Sequence, residues 1–504
     1  MTMGSDTLKP QFDNTFSVNK EYSRRYMRTV TLMMLKAIDE LIPEKPRVRV
    51  EFCYSGNYYV SVADRQPSAD FTEAVKAKMK EYVARDYPVE RKPVVIKEAI
   101  EQAEAEGDDA QARILNYFVP SRTFYYVIDG YAKYFCDTLL EHTGEASFFD
   151  LIPYEEGMLL MLPNIGDRSR LCQAEKSRKL FEMQKEGEEF ASLTGMDSLA
   201  DLNDAISSER AINVVLMQEA YFEKQLVEVA KKIVAEKARF VLIAGPSSSG
   251  KTTTTHRLAL QLKTFGLDPQ VVSADDYFHD HDHLAYLPDG NVDFESIRAV
   301  DTEQFNNDML RLLAGEEVEI PSFNFAKQER EYRGKKISLS GKKVVIIEGI
   351  HCLNPEFSRK IPDESKLRVF MSAMTPLNVN DHTPISTSDC RLLRRIVRDN
   401  RTRGVSAAET LAMWPGVRNG EEQYIYPYQE LADIMINSTM VYELSVLKLY
   451  AAPLLFGIKR DDPMYRESRR LLKFLDYVLP VTPDIIPGTS IIREFIGGSL
   501  IDIS

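Results

Sequence analysis

Cysteine is scarce and scattered. Five stand in 504 residues (Cys53, Cys136, Cys172, Cys352 and Cys390) with no C-x-x-C pair, which excludes a disulfide framework and a structural zinc ribbon and suits a reducing cytoplasm. Histidine is thin too, with seven in all and none in residues 1–141. Metal or proton-transfer chemistry built on imidazole therefore has no carrier in that first stretch. Positive charge is outweighed: 63 Lys and Arg against 76 Asp and Glu leave −13, which argues against a general affinity for nucleic acid or anionic membranes. Long apolar runs are missing as well. The longest, near Val441 to Ile458, is interrupted by Glu443, Lys448 and Pro453, and the opening "MTMGSDTLKP" lacks a basic-then-apolar pattern. Neither a membrane span nor an export signal is expected, and the chain reads as cytoplasmic.

What is present is a globular composition, 44% hydrophobic and 28% charged, over a length that suits two or three domains at roughly 100 to 200 residues each. Residues 20 to 42 repeat apolar side chains at helical spacing, and "RVRVEFCYSGNYYVSVAD" reads as two strands joined at Ser-Gly-Asn. "DFTEAVKAKMKEYVARDYP" reads as a helix capped by its Asp and ending before Pro88, with a further helix over "VIKEAIEQAEAEGDD". Strand-like pieces ("RTFYYVIDG", "GMLLMLP") follow, and then charged helices up to "EAYFEKQLVEVAKKIVAEK". The expected division is an α+β domain over 1–165, a helical connector over 166–237, and an α/β domain over 238–504 whose end is a helical extension. No fixed-period repeat is visible.

The third part opens on "RFVLIAGPSSSGKTTTTHRLALQLKTFG", in which an apolar strand, G-x-x-x-x-G-K-[ST] and a helix follow in the order a phosphate loop needs. Gly245 and Gly250 permit the tight path that turns the N–H groups of Ser248, Ser249, Gly250, Lys251, Thr252 and Thr253 toward phosphate oxygens. Lys251 is expected to reach the β- and γ-phosphates of a bound nucleotide, with the Thr252 hydroxyl holding Mg²⁺. The next strand, "PQVVSADDYF", ends in Asp275 and Asp276. If the chain stays extended there, the two point to opposite sides and only one faces the loop, where a carboxylate can take the proton of an attacking hydroxyl. A third strand, "KKVVIIEGIH", ends in Glu348, placed to support Mg²⁺. In "RLLRRIVRDNRTRG", Arg391, Arg394, Arg395 and Arg398 recur at i, i+3, i+4 and i+7 with only Asp399 to offset them, which reads as a phosphate-clamping lid. "HDHDH", from His279 to His283, has the donors for a transition metal but reads more simply as a polar loop, and Trp414 is expected to pack a turn.

These motifs, together with "VDFESIRAVD" and "IPSFNF", make residues 238 to 440 resemble the uridine kinase and phosphoribulokinase family of P-loop kinases. The resemblance implies a P-loop kinase fold, with a parallel sheet between flanking helices and an α+β domain ahead of it. By similarity Asp275 is the catalytic base, with Lys251 stabilising charge. Arg395, Arg398 and Arg403 fall on lid positions that bind nucleotide phosphates, and Tyr277, Glu295, Phe323, Gln328 and Arg330 fall on the acceptor side. Phe323 and Gln328 replace the family's tyrosine and histidine, Glu295 its ribose-binding aspartate, and Met413 a glutamine. Residues 22 to about 105 are similar to the second additional domain of threonyl-tRNA synthetases, except that Arg28 and Leu32 stand where that family carries its HxxxH pair. The expectation is an ATP- and Mg²⁺-dependent kinase acting on the 5′-hydroxyl of a uridine- or cytidine-like nucleoside. Phosphorylation of another small alcohol (a sugar phosphate, a pantothenate-like compound) and nucleotide-gated RNA binding are the alternatives. A small-molecule acceptor is the expected partner, and homo-oligomerisation is left open.

Overall fold

The computed structural model describes residues 14–164, 167–173, 177–280, 293–324 and 327–501, with side chains from residue 20 onward. Its first part is built on a long helix, Asn14–Leu41, lying against a four-stranded antiparallel sheet. The strand order in that sheet is Val48–Tyr54, Asn57–Val62, Gly157–Met161, Asp150–Tyr154. The helix buries Val30, Leu32, Met33, Met34 and Ile38 against Val50, Val60 and Leu160, so the helical repeat and the alternation of the strands meet in one core. The second helix, Ala69–Arg85, is capped by Ser68, whose hydroxyl accepts from the Phe71 N–H at 3.2 Å; Asp70, the expected cap, sits within the first turn, where its charge suits the helix dipole. A second antiparallel sheet (Glu90–Val95, Arg122–Ile128, Tyr131–Tyr134) carries the short helices Ile96–Glu106 and Asp109–Asn116.

The last part is a five-stranded parallel sheet, ordered Ile434–Asn437, Lys366–Ser372, Phe240–Ala244, Lys343–Glu348, Asp268–Ser273. Phe240–Ala244 is buried at every residue, as a central strand covered on both faces must be. Helices Ala211–Glu236, Lys251–Thr264, Thr387–Arg403 and Glu443–Phe456 share one core with the sheet. Phe305, Met309 and Leu312 of helix Thr302–Leu313 pack with Phe240 and Leu242 in another. No described helix is long and apolar enough to cross a membrane. Trp414 lies inside helix Ala407–Tyr424 rather than in a turn, 2% exposed, its indole N–H donating to the Ser388 hydroxyl at 3.2 Å. Pro415 next to it is accommodated within the helix.

The two parts are bonded to each other through backbone as well as side chains. The Val50 N–H donates to the Asp381 carbonyl at 2.7 Å, Asn378 Nδ2 donates to the Val50 carbonyl at 2.8 Å, and Arg47 forks onto the Asp381 carboxylate at 2.6 Å through both nitrogens. Asn378 and Asp381 belong to the segment between strand Lys366–Ser372 and helix Thr387–Arg403. The first sheet therefore grips the approach to the arginine-rich helix. At the positions compared with the HxxxH pair, Arg28 donates to the Thr138 carbonyl at 3.2 Å and pairs with Asp137 at 3.3 Å, while Leu32 is wholly buried.

Candidate active site

Strand register brings the chemistry together. Glu348 lies opposite Ile243 on one side and Ser273 on the other, two residues short of Gly245 and Asp275. The phosphate loop, Asp275 and Glu348 therefore meet at the carboxyl ends of three adjacent parallel strands, where open α/β sheets bind their ligands. The loop path depends on its glycines. Gly250 takes φ +87 and Ser248 φ 59, and a Cβ on Gly245 would run into the Met371 carbonyl. Lys251 Nζ donates to the carbonyls of Gly245 and Pro246 at 2.9 and 3.2 Å, folding back over the loop it serves. The hydroxyls of Ser248 and Ser249 are buried and have no partner among the described residues, which suits a cradle for an oxygen-rich anion.

After strand Asp268–Ser273 the chain does not stay extended: Ala274–Tyr277 is a 3₁₀ turn, opened by the Ser273 hydroxyl accepting from the Asp275 N–H at 3.3 Å. The two aspartates still diverge, because a three-residue repeat separates neighbours by about a third of a turn. Asp275 is half-buried; this pushes its pKa up and Asp276 adds to the rise, against the pull of Lys251 and Arg403. Asp276 faces the other way, its carboxylate accepting from the Phe323 N–H at 3.2 Å. The same turn buries Tyr277 completely, with its hydroxyl on Asp308 at 3.2 Å and its ring edge-on to Phe305. Tyr277 is a core residue here and does not join the acceptor side, contrary to the expectation.

Burial raises Glu348 to about 7, with Asp275 and Glu494 adding to the rise and Lys251 opposing it. Glu295 is also raised to about 7 by burial, against Arg395. A carboxylate and the Thr252 hydroxyl are hard oxygen donors of the kind Mg²⁺ takes, and half-buried acids beside the loop are a charge problem that a divalent cation would relieve. Among the described residues no cluster of three His, Cys, Asp or Glu side chains is arranged to hold a metal ion on its own. Of the "HDHDH" stretch, residues 281–283 lie outside the described residues.

The arginine helix, Thr387–Arg403, is not one continuous basic face. Arg391 and Arg394 are fully buried and paired with Glu421 and Glu443, acids from two other helices. From there they donate to the carbonyls of Ser247 and Ser248 at 3.1 and 3.3 Å, so they hold the loop instead of reaching over it. Arg395, Arg398 and Arg403 crowd around the single carboxylate of Asp399, at 3.1, 2.8 and 3.5 Å. Burial lowers the pKa of Arg395, with Arg398 adding to the effect. That excess of positive charge is what an anionic ligand would offset. Arg395 also donates to the Ser247 hydroxyl at 2.8 Å.

On the acceptor side, Glu295 packs against Gly420, where a Cβ would come within 2.6 Å of the Glu295 Cβ. Phe323 is 7% exposed and meets Phe278 edge-on at 5.4 Å, so its ring is largely a core ring. Gln328 takes φ 56, with its N–H on the Asn324 carbonyl at 2.7 Å. Arg330 is committed to Asp301 and Gln304 at 3.1 and 3.0 Å, and the structure does not bring its guanidinium to the loop. Three residues not singled out from the sequence also matter. Glu421 accepts from the Ser247 N–H at 3.0 Å, and Glu494 reaches the first turn of helix Lys251–Thr264. His351 is 2% exposed with neither ring nitrogen fully hydrogen-bonded, and burial lowers its pKa to about 4, so it is neutral. Only their tertiary neighbours mark them out.

Comparison with known proteins covers this region. Residues 240–445 match the Phosphoribulokinase / Uridine kinase family. The chain is 29% identical over 201 residues to a uridine kinase of Macrococcus caseolyticus, spanning 40% of this chain and 88% of that protein. It is 28% identical over 195 residues to a uridine kinase of Staphylococcus haemolyticus, spanning 38% and 84%. Among solved structures, a possible uridine kinase from Bacillus stearothermophilus aligns with 17% identity and a TM-score of 0.30, over 42% of this chain and 98% of that one. A putative fructose transport system kinase from Silicibacter sp. TM1040 aligns with the same values.

Proposed function

We propose, from a chain whose C-terminal part is a phosphoribulokinase/uridine kinase family domain, that it transfers the γ-phosphoryl group of ATP to the 5′-hydroxyl of a nucleoside, with uridine and cytidine the first candidates. The observation that carries this is the meeting of the phosphate loop, Asp275 and Glu348 at three neighbouring strand ends. Lys251 and the loop N–H groups hold the phosphates. Arg395, Arg398 and Arg403 neutralise charge on the transferring group. Asp275 takes the proton of the attacking hydroxyl as its oxygen bonds to the γ-phosphorus and the bond to the bridging oxygen of ADP breaks. Thr252 and Glu348 would hold Mg²⁺, which would supply charge neutralisation to the phosphates.

An uncharged acceptor fits better than a sugar phosphate. Glu295 is an acid, His351 is neutral, and Arg330 is already paired with Asp301. A second phosphate on the acceptor would meet repulsion from Glu295 and would have to compete with Asp301 for Arg330. Residues 1–165 are read as a binding or scaffolding domain and 166–237 as the connector, whose last helix, Ala211–Glu236, packs into the core of the parallel sheet. With Arg28 and Leu32 in place of imidazoles, the full chain should leave mischarged seryl-tRNA at its buffer rate of deacylation. An ADP-release assay with a panel of nucleosides, ribulose 5-phosphate and pantothenate, read with product mass, tests the reading. Turnover of the sugar phosphate with no nucleoside turnover would replace it.

A further inference from the structure

The C-terminal segment enters the phosphate cradle. Glu494 is 9% exposed, and its Oε2 accepts from the Thr253 hydroxyl at 2.7 Å and from the Thr253 backbone N–H at 3.3 Å. That N–H belongs to the first turn of helix Lys251–Thr264, where N–H groups have no partner within the helix and are the donors a phosphate loop offers its ligand. A carboxylate on such a donor is a stand-in for a phosphate oxygen. The segment is seated firmly. Arg401 of the arginine helix donates to the carbonyls of Phe495 and Glu494 at 3.0 and 2.8 Å, and the Arg394 guanidinium lies 5.2 Å from the centre of the Phe495 ring. Ile491 covers Gly250 so closely that a Cβ there would sit 2.7 Å from its methyl group.

We propose that this segment is an autoinhibitory strap: Glu494 occupies a phosphate-oxygen position of the nucleotide site, and nucleotide binds by displacing it. The strap rests on the nucleotide reading of the loop but not on the identity of the acceptor. A site closed by an internal carboxylate binds with its intrinsic affinity reduced by the fraction of time it is open. Because Arg401 and Arg394 hold the segment from the same helix that carries Arg395, Arg398 and Arg403, recruitment of those outer arginines to phosphates and release of the strap would be linked.

The test is equilibrium binding of ADP and of a non-hydrolysable ATP analogue to the full chain, wild type against Glu494→Gln and Thr253→Val. Thr253→Val keeps the backbone donor and the Glu494 charge but removes the hydroxyl anchor. Both variants should bind nucleotide more tightly, by about tenfold, as expected for a coupling of moderate size. Tightening in Glu494→Gln alone would reduce the effect to charge repulsion and overturn the proposal, as would unchanged or weaker binding in both. Hydrogen exchange gives an independent readout: ADP should speed exchange of the amides at 492–498 in the wild type, and slower or unchanged exchange there counts against displacement. If nucleotide binds and the strap responds while no nucleoside is phosphorylated, the acceptor assignment fails and the strap stands.

Discussion

Arg391 grips Glu421 in a two-point ion pair, at 2.5 and 2.9 Å, with neither side chain in reach of solvent. The same carboxylate accepts from the Ser247 N–H, from Arg418 at 2.7 Å and from the Tyr426 hydroxyl at 3.1 Å. One buried acid thus ties the phosphate loop to the arginine helix and to helix Ala407–Tyr424. Burial works against its charge, but Arg391 and Arg418 outweigh that and hold its pKa below the usual range.

Replacing Glu421 by Ala leaves a fully buried guanidinium without its counter-charge, a change that costs about 3 to 5 kcal/mol. The expected outcome is a marked drop in the thermal midpoint together with weaker ATP binding, since Ser247 loses its acceptor. Glu421→Gln should lie between the two. A thermal midpoint for Glu421→Ala within error of the wild type would show that the network carries no such weight.

Lys251→Ala and Asp275→Asn should each abolish phosphoryl transfer, with different binding signatures. The first removes positive charge from the γ-phosphate and should weaken ATP binding as well; the second removes the proton acceptor and should leave ATP·Mg²⁺ binding near normal. Asp276→Asn should remain active, because that carboxylate serves the Phe323 backbone. An inactive Asp276→Asn beside an active Asp275→Asn would move the base by one residue.

The parts of this site that were legible in the sequence are those in which chemistry fixes spacing. Gly245, Gly250 and Lys251 must stand at set intervals between a strand and a helix, and Glu348 announces itself by ending an apolar run. What was not legible depends on tertiary neighbours. The acids that neutralise Arg391 and Arg394 are Glu421 and Glu443, 30 and 49 residues further on, so a helix that reads as bare positive charge is half neutralised by other helices. Tyr277 was misplaced because the 3₁₀ turn at Ala274–Tyr277 rotates its side chain inward, where an extended chain would alternate. The cap at Ser68 was missed by two residues, since Ser68 and Asp70 are both good caps and only the backbone path chooses.

The pH response follows from Glu348. Its pKa is raised from 4.5 to about 7 by burial, so the folded protein holds a proton that the unfolded chain has already lost over that interval. Folding stability from this group is therefore greatest below about pH 4.5 and is lost as pH rises to 7. Magnesium requires the ionised form and runs the other way. In EDTA, the thermal midpoint of the wild type should fall between pH 5 and 7 relative to that of Glu348→Gln. With Mg²⁺ and ATP, kcat/KM should climb up to about tenfold per unit below pH 7 and level off above it. Parallel midpoint curves for the two proteins would remove Glu348 from the account.

In the proposed acceptor pocket, Phe323, Glu295, Gln328 and Met413 stand where the resemblance implies other side chains. Phe323 offers an aromatic edge without a hydroxyl, and packing against Phe278 fixes where that edge stands. Glu295, raised to about 7, can present either a carboxylate or a protonated carboxyl to a ribose hydroxyl near neutral pH. Met413, at 45% exposure, offers no strong hydrogen bond where a glutamine would. On the proposed reading Gln328 is a polar side chain placed to discriminate bases, held in a turn by its own N–H on the Asn324 carbonyl. A neutral hydrogen bond is worth about 0.5 to 1.5 kcal/mol, so Gln328→Ala should change the ratio of kcat/KM values among uridine, cytidine, adenosine, guanosine and inosine by about two- to twelvefold. The KM for ATP is expected to stay put. Weaker and broader nucleoside use than in a dedicated uridine kinase is expected for the wild type, and tight, exclusive use of uridine and cytidine would mean that other residues restore the lost contacts. A ranking unmoved by Gln328→Ala would shift discrimination to Glu295 and His351, which Glu295→Asp and His351→Leu would then separate by their effects on sugar and base preference.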